Sequence, residues 1–430
     1  MLSVLASMIM LRGVAGSQQP QYPLMWKAFR KKVQSKTAVE KKLTDLPKAA
    51  DLRPKFGEFD LPVCKQDGPW CWDFTMLGVL EYEAAAELGQ KCPLSPGYLA
   101  WAAQETDTQG TGGSNFGRAN RGLENYGIVP LIMGGIPPSE GTVPKPEQKL
   151  VNLGKVFGEI DFHWIRFWSR EPLSADQMKA IKTDIASGHP VAVGMQWPNR
   201  TTFVPDTTMM RVPPKRQIFD GHCVILVGYQ DDAATPGGGS FLFRNSWGSA
   251  WADGGYARMP YALLGFCIND AFSIRKITPY QERKTGKLES FDAVGLTSTD
   301  VTGGTLAKQD MGPFGKAWEG KNQLAFRAEK VGARFSVSVP VPQAGTYDVQ
   351  LVITRAENYG GFSVTFPDGH RSATLDASGP GVSRSHPISI GTVRLRKGPQ
   401  TFRFTIEGPS SASSGLGLGL GLVAIQLRRN

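Results

Sequence analysis

Three side chains, far apart in the chain, have the types that nucleophilic catalysis needs: Cys71, His222 and Asn245. A thiol attacks carbon as its thiolate, so it needs a base nearby, and the base needs a partner that fixes its ring. Gly68-Pro69 forces a turn just before the cysteine. From Cys71 the spacing predicts a helix: Phe74, Leu77, Leu80 and Ala84 recur at three- and four-residue steps, and Gly89 follows as a stop. Cys71 is therefore expected at a helix N-terminus. The dipole and free N–H groups there favour a thiolate, and the same groups can hold an oxyanion. Taken alone, a cysteine at a helix start is more often a buried structural thiol.

The base comes from Asp220-Gly221-His222-Cys223-Val224-Ile225-Leu226-Val227-Gly228-Tyr229, read as a histidine opening a buried strand. A glycine-rich turn at 236–239 leads into Phe241-Leu242-Phe243-Arg244-Asn245-Ser246-Trp247-Gly248. The pair reads as an antiparallel hairpin, with His222 near one strand's start beside Asn245 at the other's end. Asn245 then accepts one ring N–H and leaves the other nitrogen for the thiol. Gly237-Gly238-Gly239 lacks the lysine and helix of a phosphate cradle, so it reads as the hairpin turn. His163, His189, His370 and His386 read as surface or packing residues, and Asp220 as a turn residue more than a partner of His222.

The elements that position these residues belong to a chain of two or three domains. At 430 residues with 41% hydrophobic content it is long and apolar enough for separate cores. The formal charge of +10 owes much to the stretch from Lys27 to Lys55, which reads as a solvated basic segment. No interleaving of aromatic and basic residues follows it, so no nucleic-acid partner is expected. Met1 to Leu11 is apolar and small residues follow to Gly16-Ser17, an imperfect secretory signal at 1–16, since it lacks a positive start. No transmembrane segment is expected, and the destination is secreted or cell envelope. Residues 17–45 read as a basic extension or short propeptide with a helix around 26–33. Cys64, Cys71, Cys92, Cys223 and Cys267 are odd in number, which leaves one thiol over in an exported protein; the other four allow up to two disulfides. None of the five has Cys-x-x-Cys spacing, so no zinc is expected, and no cofactor.

After a polar linker at 276–289 the texture changes. Phe335-Val337-Val339, Tyr347-Val349-Leu351-Ile353, Phe362-Val364-Phe366 and Phe402-Phe404-Ile406 alternate, with turn residues between them. They predict an all-β jelly roll or sandwich over 290–430. The Gly-Leu repeat at 415–422 is read as a terminal strand with its leucines on one face, continued by Val423 and Ile425.

Together these residues resemble the papain/cathepsin family of cysteine peptidases over 46–275. His222 lies 151 residues beyond Cys71, close to the family's roughly 130–150. Asn245-Ser246-Trp247-Gly248 with Trp251 and Gly254-Gly255-Tyr256 resembles its asparagine motif, and Cys71-Trp72-x-Phe74 its nucleophile motif. The segment Met178 to Met195, with Gly188-His189-Pro190-Val191-Ala192-Val193, is similar to the strand entering its β-rich lobe, and Leu46-Pro47 with Asp51-Leu52-Arg53 to a mature N-terminus. The resemblance implies an α+β, two-lobed papain-like fold ahead of the β-sandwich, and peptide or protein substrates. It implies Gln66 as an oxyanion donor and Gly112 and Gly113 as the glycine pair of the cleft. Trp247 belongs with that cleft, as a shield over the Asn245–His222 bond or as core packing.

This sequence departs from the pattern ahead of the nucleophile: the usual disulfide cysteine just before it is missing, Pro69-Trp70 replaces small residues, and the glutamine-to-cysteine interval is one residue short. Asp73 replaces a small residue, and an ionised acid there opposes a thiolate. A catalytically silent scaffold and a thiol acyltransferase or amidase remain as alternatives. Residues 290–430 resemble galactose-binding or carbohydrate-binding modules of secreted bacterial enzymes. That implies glycan as a second partner, with Trp318 and Tyr359 as stacking candidates, though both also fit a core.

Overall fold

The structure, a computed structural model, describes residues 45–89, 91–106, 115–139, 143–154, 157–279, 287–314, 322–410, 413 and 415–429. The expected signal segment, the helix around 26–33, Gly112, Gly113 and Trp318 lie outside the described residues.

The helices described are α1 Arg53–Glu58, α2 Cys71–Leu88, α3 Pro96–Thr106, α4 Asn115–Tyr126, α5 Leu131–Gly134, α6 Gln148–Leu153, α7 Ala175–Ala186 and α8 Tyr261–Cys267. The first seven strands are β1 Ala49–Asp51, β2 Phe157–Arg166, β3 Val191–Pro198, β4 Ile218–Asp231, β5 Gly239–Arg244, β6 Tyr256–Pro260 and β7 Ile268–Pro279. They form one antiparallel sheet in the order β2-β7-β3-β4-β5-β6, with β1 also on β4. Helix α2 packs on β4 and β7 and, on its other side, on α3 and α4. It is therefore apolar nearly all round, with Met76, Val79 and Leu80 fully buried. Gly78 lets β4 come close: a Cβ there would stand 2.6 Å from the Ile225 side chain. The expected stop is present, since Gly89 closes the helix at φ 64°, a left-handed value that favours glycine.

The strand carrying the histidine begins earlier than the sequence suggested. β4 starts at Ile218, and His222 lies inside it, because β3 pairs along its whole first half (Met195↔His222, Trp197↔Asp220). Asp220, read as a turn residue, is thus a strand residue. β7 likewise runs to Pro279 against β2, and the next strand opens at Leu288, so strands occupy both ends of the stretch read as a linker.

The remaining strands are β8 Leu288–Asp292, β9 Thr297–Thr302, β10 Gly304–Asp310, β11 Asn322–Ala328, β12 Arg334–Val341, β13 Gly345–Arg355, β14 Gly360–Thr365, β15 Leu375–Asp376, β16 Ser383–Arg384, β17 Ile388–Leu395, β18 Gly398–Pro409 and β19 Gly419–Arg429. One sheet runs β10-β11-β19-β13-β16, with β17 on β13 and β8 on β19; the other runs β15-β14-β18-β12-β9. Their inner faces share one core. Phe335 faces Phe404 in register and the rings stack at 5.0 Å. The Gly-Leu repeat enters β19 as expected: Leu420, Leu422 and Ile425 are buried, while Leu416 sits exposed in the preceding turn. Val423 and Ala424 pack in a second small cluster with Met311 and Val352.

The sandwich meets the helical part at α4. Arg121 Nη1 donates to the Pro380 carbonyl at 3.0 Å, and Arg355 pairs with the mostly buried Glu124 at 3.4 Å.

Candidate active site

The first residue of α2 is Cys71, half-buried. The cap residue, Trp70, takes the amides of Asp73 and Phe74 on its carbonyl, and no side chain caps the helix. The first-turn N–H groups of an α-helix have no partner within it, so the thiol sits at the positive end of α2.

His222 and Asn245 come together as the hairpin predicts. Nε2 of His222 lies 2.8 Å from Oδ1 of Asn245. The same oxygen accepts the backbone N–H of Ser246 at 2.8 Å. A backbone amide only donates, so the atom facing it is the oxygen, and Nε2 must carry the proton on the His222 side. That fixes the tautomer and leaves Nδ1 for the thiol. The bond is dry: His222 is 6% and Asn245 2% exposed. Trp247 stacks on the imidazole at 4.7 Å, and Trp197 meets its edge at the same distance. Trp251 packs edge-on against Trp247. A hydrogen bond kept from water in this way holds its geometry more firmly than an exposed one.

Two residues of β4 act on the Cys71 thiol electrostatically. The Cys223 thiol is the stronger, and with His222 it brings the Cys71 thiol down to about 5, against the opposing effect of burial. Cys223 moves the other way: its contact with the Cys71 sulfur and its burial hold its proton well above the ordinary thiol range. Asp73 does not oppose this arrangement as expected. It is fully buried, neither oxygen has a hydrogen-bond partner among the described residues, and desolvation drives it toward its neutral form.

Gln66 is tied at both ends. Its Nε2 donates to the Gly68 carbonyl at 2.8 Å, and its Oε1 accepts the Ser246 hydroxyl at 2.5 Å. One N–H of the amide remains for a ligand. The backbone zips alongside: Gln66 N–H to Ser246 O at 2.8 Å and Gly248 N–H to Cys64 O at 3.0 Å. Arg244, next to Asn245, buries its guanidinium over the Phe56 ring and donates to the carbonyls of Leu61 and Pro62. It clamps the segment leading to Gln66 against the hairpin.

Sequence reasoning missed Arg244, Trp197, Cys223 as a partner of Cys71, and Trp70. Arg244 did leave a signal, a charge at the end of an otherwise apolar strand. Trp70 donates its indole N–H to Pro138 O at 2.8 Å, and a Cβ on Gly68 (φ 92°) would collide with Ser139 O. These contacts anchor the loop where a cysteine was expected and absent. All five cysteines are free thiols. The remaining histidines serve packing and turns: His163 pairs with Asp184, His189 with Glu83, His370 with Asp368, and His386 reaches Leu123 O across the contact with the sandwich. Tyr359 lies over Gly419, whose Cβ would meet the ring at 2.3 Å, and its hydroxyl accepts from Gln323.

A sequence profile described as papain family cysteine protease matches residues 46–271. Human cathepsin L2 is 25% identical over 230 residues, which span 50% of this chain and 61% of that protein. Cysteine proteinase 3 of Entamoeba histolytica is 29% identical over 197 residues, 43% of this chain and 54% of that one. The chain thus spans less than two thirds of these relatives. Among solved structures, the cysteine protease and lectin-like domains of Cwp84, a surface layer associated protein of Clostridium difficile, align over 97% of this chain and 100% of theirs, at 14% identity and a TM-score of 0.52. That likeness shows the fold: a papain-like α+β unit followed by an all-β one. With the profile spanning more than half of it, the chain belongs to the papain family of cysteine proteases.

Proposed function

We propose that the protein hydrolyses peptide bonds through an acyl-enzyme on Cys71. The observation that carries this reading is the buried His222–Asn245 bond, which leaves one imidazole nitrogen for a thiol lowered to about 5. The Cys71 thiolate attacks the carbonyl carbon of the peptide. The oxyanion that forms is held by the Cys71 backbone N–H and the second N–H of Gln66. His222 protonates the leaving amine, then takes a proton from water as the water attacks the thioester. Asn245 orients the imidazole throughout. Gly112 and Gly113 would pair with the substrate backbone, and Trp247 keeps water from the Asn245–His222 bond. The substrates are proteins or peptides met outside the cell or at its envelope. The sandwich would add glycan contact; the lectin-like partner domain in the similar Cwp84 structure supports this.

The test is covalent labelling by an irreversible epoxide inhibitor of cysteine peptidases, read by intact mass. One adduct is expected on the parent protein, none on Cys71→Ala, and slow labelling on His222→Ala. The rate should rise with pH through about 5 as the thiol ionises. Equal labelling of all three proteins, or none of the parent, would overturn the reading in favour of a silent scaffold. Labelling without hydrolysis, with acyl transfer to added amines, would instead favour an acyltransferase.

A further inference from the structure

Helix α4 is buried on two opposite sides. Gly117, Arg121 and Glu124 recur at four- and three-residue steps and form one stripe; Phe116, Ala119 and Leu123 form the other. The second stripe is apolar and at most 4% exposed, as a core-facing stripe should be. The first carries two charged side chains, which a helix at the edge of a lobe would turn to water. The sandwich covers them instead. Arg121 is buried and gives Nη1 to the Pro380 carbonyl at 3.0 Å, and Glu124 pairs with Arg355 at 3.4 Å. Arg355 is itself held, since its Nη1 donates to the Asp376 carbonyl at 2.9 Å. The backbones approach closely at glycines: a Cβ on Gly117 would stand 3.2 Å from Pro380 O, and one on Gly381 3.0 Å from Arg121 Nη1.

The apolar stripe leads toward the site. Phe116 meets Phe272 of β7 edge-on at 5.2 Å, and a Cβ on Gly194 of β3 would stand 3.5 Å from the Phe116 ring. Gly194 lies opposite Cys223, the neighbour of His222 in β4. In sequence, α4 opens two residues after Gly113. One helix thus touches the sandwich with one stripe and the strands beside the histidine with the other.

We propose that the sandwich sets the width of the peptide cleft: Pro380 and Arg355 hold α4 against β3 and β7, with Arg121 and Glu124 as positioning residues for substrate binding. The inference rests on the reading of the cleft as a peptidase site. Apolar packing alone is non-directional and lets a helix tilt or slide, whereas the hydrogen bond and the ion pair fix its place. Cys71 is placed separately, by α2 and the Trp70 loop, so the thiol chemistry does not depend on the sandwich. A wall that moves weakens the binding of substrate and transition state alike, and such a loss is read in KM.

The experiment uses the full chain with Arg121→Ala, Glu124→Ala, Arg355→Ala, the double variant Glu124→Ala/Arg355→Ala, and Arg355→Lys. Hydrolysis of a fluorogenic peptide is measured beside the rate of Cys71 alkylation by iodoacetamide. Each single alanine variant should raise KM at least about fivefold, with kcat and alkylation within about twofold of the parent. The double variant should be no worse than the worse of its two singles, because both remove the same pair. Arg355→Lys keeps the charge and should return KM to within about twofold of the parent. Phe404→Ala, which loosens the core away from this contact, is the control for instability and should keep the parent's KM. An unchanged KM in all three single variants, a fall in kcat at constant KM, or an equal rise of KM in Phe404→Ala would overturn the proposal. A parent that hydrolyses peptide while KM stays fixed in the variants removes the positioning role and leaves the peptidase standing. A parent that neither hydrolyses peptide nor takes the epoxide removes both.

Discussion

The junction of α2 with β4 and β5 and the C-terminal sandwich are built by opposite rules. In the sandwich, Phe335 and Val337 of β12 stand beside Phe404 and Phe402 of β18 in register on the inner face of one sheet, and apolar area does the stabilising. At the junction, polar groups are buried that water would hold more cheaply: His222, Asn245, Arg244, Asp73 and Glu83. Some are partnered, as Arg244 is by the carbonyls of Leu61 and Pro62. Others are not: neither Asp73 oxygen nor the Asn245 Nδ2 has a partner among the described residues. Burying such groups costs about 1–3 kcal/mol each where no hydrogen bond replaces water. If the proposed mechanism holds, the junction is where stability is given up for chemistry, and the contrast can be tested from either side.

The largest effect should come at the junction without a stability signature. Cys71→Ala is expected to lower peptide hydrolysis by at least about 10⁴-fold, and His222→Ala by about 10³- to 10⁴-fold, while the unfolding midpoint moves little. Turnover of a fluorogenic peptide beside a thermal melt checks both. The sandwich should answer in the opposite way. Phe404→Ala removes a ring stacked on Phe335 and is expected to cost about 3–5 kcal/mol, with epoxide labelling of Cys71 changed less than about twofold. A large loss of labelling in Phe404→Ala would mean that the contact of α4 with Pro380 and Arg355 couples the two regions.

The same contrast explains what could be read from the sequence. Alternation has a period of two and needs no long-range information, so the sandwich strands and the burial of Leu420 and Leu422 were legible. The place of Cys71 at a helix start and the meeting of His222 with Asn245 were legible because a glycine-proline turn, helical spacing and a hairpin mark them in the sequence. What brings third parties to them is tertiary. Trp197 reaches His222 only because β3 pairs with the front of β4, and that pairing also moved the strand start to Ile218. Cys223 was read as a buried-strand residue and a possible disulfide cysteine, since nothing local says that β4 packs against α2. Asp73 was judged from its distance along the chain to Cys71, whereas its burial decides its charge.

A third test concerns the buried acids of α2. Burial pushes Glu81 up to about 7, and its Oε1 still accepts the Leu94 amide at 2.7 Å. Glu83, paired with His189, is also raised to about 7, again mainly by burial. A carboxyl whose folded pKa lies above its unfolded value favours the folded state at low pH. Its contribution is full below the unfolded value of 4.5 and is lost as pH rises to about 7. Parent protein should therefore lose stability between those limits. Glu81→Gln keeps the acceptor and removes the titration, so its chemical-denaturation curve should be flatter by about 1–3 kcal/mol over that range. Among the described residues the sandwich core has no such acid, and Phe404→Ala should leave the slope unchanged. An identical slope in parent and Glu81→Gln would mean that the acid is already solvated.

The smallest effect is expected at Trp70, and it is the most selective. Its indole N–H to Pro138 O and the tight approach of Gly68 to Ser139 are side-by-side contacts on the loop between Gln66 and Cys71. In the proposed mechanism that loop sets two oxyanion donors, the Gln66 amide and the Cys71 N–H, to within a fraction of an ångström, since misplacement of about 1 Å costs around 100-fold in rate. Trp70→Phe keeps a ring against Trp72, 6.0 Å away, and removes only the donor. The donors act on charge that develops in the transition state, so kcat should fall about tenfold while KM stays within about twofold. A general loosening of the fold would instead lower the melting temperature and leave kcat of the folded fraction intact, as Phe404→Ala is expected to do. Trp70→Phe with unchanged kcat would show that the backbone bonds to Ser246 and Cys64 position the oxyanion loop unaided.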